Sequence, residues 1–395
     1  MTMQKTASVS VDAMLEDLRT LVEIESPSGV LDALRASAAA VAAVIEHRLG
    51  GRATLVESEA GPHVHWSGGG EPKVLVLGHH DTVFPLGTLE RRPFTVADGR
   101  VTGPGVFDML GGLVQAVHGL ALLDDLSGVE ILVTADEEVG SGHSRALLEE
   151  RALACGAVLV FEGAADGGRL KTGRKGCGTF EVSITGRAAH AGLEPAAGVN
   201  ALIEAAHQVL GIAALGRPEI GTTVTPAVAS AGTQANVVPA QATVSVDVRV
   251  ESAEEKERVE SAFASLTPQL DGALISVQGS VRRPPMPESA SAELMALAQR
   301  LFPGIEGTAV GGGSDGNFTA ALGVPTLDGL GAVGGGAHAD HEFVLVDTMA
   351  ERANLVAALV DAIRTSPAPA LLGRPPGRRV AGRSVGAGQQ GPGAP

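Results

Sequence analysis

The stretch VLVLGHHDTVFPLGTLERRPF, residues 74–94, runs four aliphatic residues and a glycine into two histidines and an aspartate. Val74 to Leu77 read as a strand buried on both faces, the habit of a parallel sheet. In open α/β sheets, chemistry gathers beyond the carboxyl ends of such strands. His79 and Asp81 lie two residues apart, so in an extended chain they share a side while His80 points the other way. That arrangement suits a metal-binding imidazole backed by a carboxylate. A strand that ends in an ordinary polar turn is the plainer alternative.

Two more aliphatic runs accompany the first. KVLVLG, VEILVTA and AVLVFEG alternate with the helical stretches MLGGLVQAVHGLALLDDL and HSRALLEERALA, the signature of a parallel sheet covered by helices. At KTGRKGCGTF the style changes to alternating strands (TFEVSITG, TTVTPAVASA, ATVSVDVRV, ALISVQGSV), with helical runs at 197–214 and 252–268. The order strand-helix-strand-strand-helix-strand fits a ferredoxin-like insert. Gly173 and Gly176 mark one boundary, and Pro284, Pro285 and Pro287 the other. After them SAELMALAQRLF, GVPTLDGLG and DTMAERANLVAALVDAIRT return to the helix–strand style. The expected fold is therefore α/β, a mixed, mostly parallel sheet covered by helices and split by an inserted α+β unit. The expected divisions are 1–174, 175–283 and 284–365, followed by a tail, 366–395, rich in Gly, Pro and Arg and read as disordered.

Composition narrows the function. The chain has 395 residues and a formal net charge of −16, with 44% hydrophobic residues and no Tyr. That length allows two or three domains, and that charge argues against nucleic acid or an anionic membrane as partner. No run approaches a membrane span, and the amphipathic N-terminal segment lacks an apolar signal core. Two cysteines, Cys155 and Cys177, make no disulfide framework. A reducing cytoplasm is the expected compartment and apolar filling their expected role.

Acidic and imidazole groups end all three buried strands: His79 and Asp81, then Asp136, Glu137 and Glu138 in TADEEVGS, then Glu162 in FEG. Asp108 sits between a Gly-Pro-Gly turn and a helix start, and His338 lies on the glycine-rich GGGAHADHEFV. Singly, Asp108 could be a helix N-cap, Glu137 and Glu138 a solvated loop, and His338 a surface residue. Parallel strands, however, bring these ends to one rim. Carboxylates packed there repel and raise one another's pKa unless cations sit among them. Two imidazoles and three carboxylates suit two zinc ions, with cobalt or manganese as substitutes. One carboxylate would bridge, open positions would activate a water, and a further carboxylate would act as general base. GGGSDGNF, with Gly312, Gly313 and Ser314, could present backbone N–H groups to an anion; it lacks the Lys-Ser/Thr of a phosphate loop.

With HHDTVFPLGTLERRPF, GPGVFDMLGG, TADEEVGS, FEG, GRAAHAG, NVVPAQATVSVDVR, GGGSD and GGGAHADHEFV in order, the sequence resembles the zinc-dependent M20 peptidases, and among them the glutamate carboxypeptidase (carboxypeptidase G) group. The resemblance implies His79, Asp108, Glu138, Glu162 and His338 as ligands of two zinc ions, with Asp108 bridging. It implies Asp81 as the orienter of His79 and Glu137 as general base. His190 in GRAAHAG matches the family's lid histidine, which polarises the scissile carbonyl. Asn236 and Arg249 match substrate-holding positions, and Arg283 and Arg169 are candidates for a second carboxylate. Leu110 stands where the family usually has Lys, and FEG replaces the commoner FEP. The implied reaction is release of a C-terminal amino acid, glutamate first, from a small peptide or N-acyl amino acid by metal-activated water. The alternatives are an aminoacylase of other specificity and a silent ligand-binding member. The insert is expected to serve as lid and homodimer interface.

Overall fold

The computed structural model describes residues 9–366; the tail from 367 onward lies outside the described residues. Val74–His79, Val129–Thr134 and Val158–Val160 form the parallel centre of a six-stranded sheet. Thr326–Leu327 adds a parallel strand beside Val158–Val160. On the other side His63–Ser67 pairs antiparallel with Val129–Thr134, and Thr54–Val56 closes the edge. The strand Val74–His79 is buried along its whole length. Val74 and Val76 enter one core, against the helices Val11–Val22, Leu31–Leu49, Gly111–Leu120 and Met349–Thr365. Leu75 and Leu77 enter a second core, against Arg145–Cys155 and Phe318. A continuous aliphatic run is what a strand covered on both faces requires.

The change of style at residue 175 is equally physical. One antiparallel sheet is formed by Thr223–Ala231, Gln241–Val250, Gly176–Thr185 and Leu274–Arg283, in that order across its width. With helices Ala201–Ala213 and Ala253–Ala264 between them in sequence, this is the ferredoxin-like arrangement. Along Gln241–Val250 every second residue is buried, as one covered face demands. The chain enters this unit directly from the strand Leu170–Arg174 and leaves it after Arg283. Both crossings are tied together by reciprocal backbone hydrogen bonds between Arg174 and Met286, 2.9 Å each.

A small sheet made of Thr95–Ala97, Arg100–Thr102, Gly334–Gly335 and Phe343–Leu345 was not expected from the sequence. Its strands are two or three residues long, too short to carry a periodic signal. It anchors both ends of the loop that carries His338.

The N-terminal helix is fixed by charge as well as by apolar contact. Arg48 donates to the Asp17 carboxylate through Nε and Nη2 at 2.7 and 3.0 Å, and His118 Nε2 lies 2.7 Å from it. Burial alone would raise the Asp17 carboxyl, but the hydrogen bonds from His118 and Arg48 bring it down to about 2. Asp17→Asn leaves the Arg48 guanidinium without its anion and takes the carboxylate from His118, and about 1–3 kcal/mol of stability should be lost at neutral pH. The wild-type advantage exists above the ordinary carboxyl value near 3.8 and fades as pH falls towards 2. Urea unfolding of both proteins between pH 2 and 7 checks this; equal midpoints at pH 7 would remove Asp17 from the account.

Candidate metal centre

Three parallel strands deliver their end residues to one point. His79 is the last residue of its strand, Glu137 and Glu138 follow Thr134 on a single tight turn, and Glu162 lies two beyond Val160. Asp108 comes from the turn before the helix Gly111–Leu120, where Met109 is held at φ 83°. His338, also at positive φ, reaches in from the loop after Gly334–Gly335. The helix can come this close because Gly112 and Gly163 lack side chains. A Cβ on Gly112 would lie 2.0 Å from the Phe161 carbonyl, and one on Gly163 would lie 2.5 Å from the Phe107 ring. The departure from FEP at Gly163 thus has a local cause, the aromatic ring beside it.

The groups pair as imidazole with carboxylate. His338 Nε2 lies 2.7 Å from Asp108 Oδ2 and 3.1 Å from Glu138 Oε2, and His79 Nε2 lies 3.6 Å from Glu162 Oε1. His79, Asp108 and Glu138 each offer an atom within 4.8 Å of the others, and so do His79, Glu137 and Glu162. Nδ1 of His79 is 2.9 Å from the Asp81 carbonyl, which can only accept, so this nitrogen carries the proton. In the neutral ring Nε2 is then a buried lone pair with no hydrogen-bond partner, facing a carboxylate. A proton or a metal ion must bridge such a pair. The residues fit a metal on that ground.

Asp81 does more than stand behind His79. Its carboxylate, 3.4 Å from His79 Nδ1, also accepts from the backbone N–H groups of Glu137 and Glu138, at 3.1 and 3.2 Å. It therefore fixes the turn that aims both glutamates. Glu137 is buried, and burial pushes its carboxyl well above the usual range although the guanidinium of Arg283, 2.8 Å away, opposes this. Burial likewise raises Glu138, while the hydrogen bond from His338 opposes it. Burial would also raise Glu162, but the His79 imidazole, with Arg174 and Lys171 farther off, holds it far below the usual carboxylate range. The His338 imidazole is pushed up to about 10 by hydrogen bonds first to Asp108 and then to Glu138.

These groups open into a cavity of about 520 Å³. Asp108, Glu137, Glu138, Glu162 and His338 line it together with Lys171, Arg174, Arg249, Arg282 and Arg283. Among the expected substrate residues Arg249, Arg283, Gly312 and Gly313 line the cavity. Arg249 is engaged by Asp247, with two contacts of 3.0 Å, and Arg283 by Glu137 and Ser141. Ser314 is fully buried behind the loop, its hydroxyl donating to Asp328 at 2.6 Å. Arg169 belongs to a different cavity. His190 and Asn236 are adjacent on the ferredoxin-like unit, where Ala191 N–H donates to the Asn236 carbonyl, and both are exposed and outside this wall. Cys177, expected as filler, lines the cavity.

Sequence reasoning passed over Lys171, Arg174 and Glu342. The first two lie in the basic run Arg169–Lys175, whose Gly173 drew attention as a boundary. Glu342 lies in the His338 motif itself. It is fully buried and accepts the backbone N–H groups of Gly105, Phe107 and Asp108 at 2.9, 2.9 and 2.8 Å. Its carboxylate also lies 3.9 Å from Arg92 Nη2, and no periodicity announces a carboxylate that serves mainly backbone.

Residues 75–362 match the family model for peptidase family M20/M25/M40. The chain is 32% identical over 371 residues to carboxypeptidase G2 of Pseudomonas sp. (strain RS-16), covering 88% of each. Over 177 residues it is 31% identical to the indole-3-acetyl-aspartic acid hydrolase of Enterobacter agglomerans, 41% of this chain and 40% of that one. Over 133 residues it is 34% identical to one of the subunits of the p-aminobenzoyl-glutamate hydrolase of Escherichia coli (strain K12), 31% of this chain and 30% of that one. The fold is similar to that of the M20 family metallo-carboxypeptidase Sso-CP2 from Sulfolobus solfataricus, with TM-score 0.67 and 17% identity over 89% of this chain and 98% of that one.

Glu342→Ala should release the turn that carries Asp108, because three buried N–H groups lose their acceptor. Stability should fall by about 2–4 kcal/mol, and metal content after dialysis should fall with it. A normal metal content in the variant would mean that Asp108 is held without Glu342.

Proposed function

Because the chain belongs to peptidase family M20/M25/M40, as an enzyme of its metallo-carboxypeptidase and amidohydrolase type, we propose that it cleaves the amide bond of a small peptide or N-acyl amino acid bearing a free α-carboxylate. The released residue is glutamate in the first instance. The observation that carries this reading is that one cavity is lined both by a cluster of carboxylates and by five cationic side chains. Similarity to a p-aminobenzoyl-glutamate hydrolase supports glutamate as the leaving residue.

In this reading His79, Asp108, Glu138, Glu162 and His338 would hold two divalent ions, zinc first and cobalt or manganese as substitutes. The bound metals supply Lewis acidity that activates water and polarises the scissile carbonyl. Glu137 accepts a proton and returns it to the leaving nitrogen. Its raised carboxyl suits proton transfer near neutral pH, and Arg283 holds it in place. Arg249 exchanges Asp247 for the substrate carboxylate, to which its planar fork is matched, while Gly312 and Gly313 border the same wall. Residues 175–283 act as lid and dimerisation unit between the two parts of the catalytic unit, 1–174 and 284–365. His190 and Asn236 are exposed and outside the cavity of their own chain, so they serve the site of a second copy. The compartment proposed is the cytoplasm; among the described residues no helix is long and apolar enough to cross a membrane.

Turnover on N-acyl amino acids varied at the carboxyl residue tests the reaction. Glutamyl substrates should lead, and the C-terminal amides should react far more slowly; equal rates on acid and amide would refute carboxylate recognition by Arg249. Glu137→Gln should lower kcat by at least ~10²–10⁴ with metal content intact, whereas Glu138→Gln should lose metal. The opposite pattern in metal analysis would exchange their roles.

Co-expression of His190→Ala with Glu137→Ala tests the shared site. Each variant alone should be nearly inactive. Random pairing makes about half the dimers mixed, each with one complete site of two, so about a quarter of wild-type activity should return. No recovery in demonstrably mixed dimers would confine His190 to its own chain.

A further inference from the structure

A second cavity, of about 540 Å³, lies apart from the metal centre. Its wall combines Gly168 and Arg169, the segment Leu301–Glu306 at the end of the helix Glu288–Leu301, and Arg352 and Leu355 of the helix Met349–Thr365. None of the metal-centre residues lines it.

Arg352 is the unusual member. It is 5% exposed, and although Nη2 donates to the Gly168 carbonyl, Nη1 is buried without a hydrogen-bond partner among the described residues. Burial pulls its guanidinium down to about 10, and only Glu351, its exposed neighbour in sequence, acts against this. Arg169 directs Nε to the Asp166 carbonyl at 3.0 Å. Among the described residues no carboxylate forms an ion pair with either arginine, and the chain ends outside them, 1–8 and 367–395, contain no Asp or Glu. A buried guanidinium without a counter-ion is costly and calls for an anion.

We propose that this cavity binds a free α-amino acid with an apolar side chain. Each part of that ligand meets its complement. The carboxylate lies against Arg352 and Arg169, for which a planar guanidinium is well suited. The ammonium faces Glu306 and Glu351, which line the same cavity and are exposed. The side chain meets Leu301, Phe302 and Leu355. A bare inorganic anion would satisfy the arginines but would face two carboxylates and an apolar wall. Arg169 also lies just before the strand Leu170–Arg174, whose Lys171 and Arg174 line the metal cavity. Occupancy therefore ties down a segment shared with the site of chemistry.

Calorimetric titration of the metal-loaded enzyme with leucine, methionine and phenylalanine tests the proposal, with leucinamide and inorganic phosphate as controls. At least one of the amino acids should bind, and leucinamide should not. Arg169→Met, at a partly exposed position, should weaken binding by about tenfold or more, and Arg352→Met at least as much if it folds. Binding should persist in Arg249→Ala, which separates this cavity from the catalytic one and leaves the test independent of the proposed reaction. Failure of all three amino acids to bind overturns the proposal. So does binding that Arg169→Met leaves unchanged, or that Arg249→Ala alone abolishes. Phosphate binding as tightly as the amino acids would mean a site for an adventitious ion only.

Discussion

Four carboxylates, Asp108, Glu137, Glu138 and Glu162, are brought to the edge of one sheet together with Nε2 of the buried His79 imidazole. Like charges at that density do not remain buried without compensation. Much of the surrounding structure holds them together: Asp81 gathers the Glu137–Glu138 turn, Glu342 the Asp108 turn, and Arg283 the Glu137 side chain. Arg283 compensates Glu137, and Arg174 and Lys171 act on Glu162 from farther off; the charge of Asp108 and Glu138 is left to His338, protons or a metal ion. Structure and cation requirement are two sides of one constraint.

The cavity wall also explains why the inserted unit belongs to the site. Arg249, Arg282 and Arg283 come from its strands, whereas Lys171 and Arg174 come from the strand that leads into it. Arg174 joins the parts closely. Its guanidinium binds Asp328 at 2.6 and 3.0 Å and the carbonyls of Gly312 and Gly313, while its backbone pairs with Met286. The residue at the crossing is thus held from both flanks.

What could be read in the sequence followed from periodicity and from strand ends. Val74–Leu77 announced burial on two faces, and the switch to alternation after residue 175 announced a sheet with one covered face. The strand-end rule collected His79, Glu137, Glu138 and Glu162 without any knowledge of distance, the glycine-rich loop singled out His338, and family resemblance gave them their roles. The limits were equally physical. Ser314 lies in a loop read as presenting backbone N–H groups to an anion, yet it is fully buried and its hydroxyl is spent on Asp328. Arg169 and Lys171 are two apart and enter different cavities, a distinction that the basic run does not express. Glu342 could not be separated from a surface acid, because its partners are backbone amides distant in sequence.

The contact between Phe107 and Gly163 bears on how this sequence can change with time. Gly163 is free to acquire a side chain only after the ring at 107 has been reduced or displaced, since a Cβ would otherwise overlap the ring. The reverse order passes through a clash between Asp108 and Glu162, the sequence neighbours of the two positions. Substitution at these positions is therefore directional. A lineage that arrives at proline after the strand-end glutamate must first have made room opposite it.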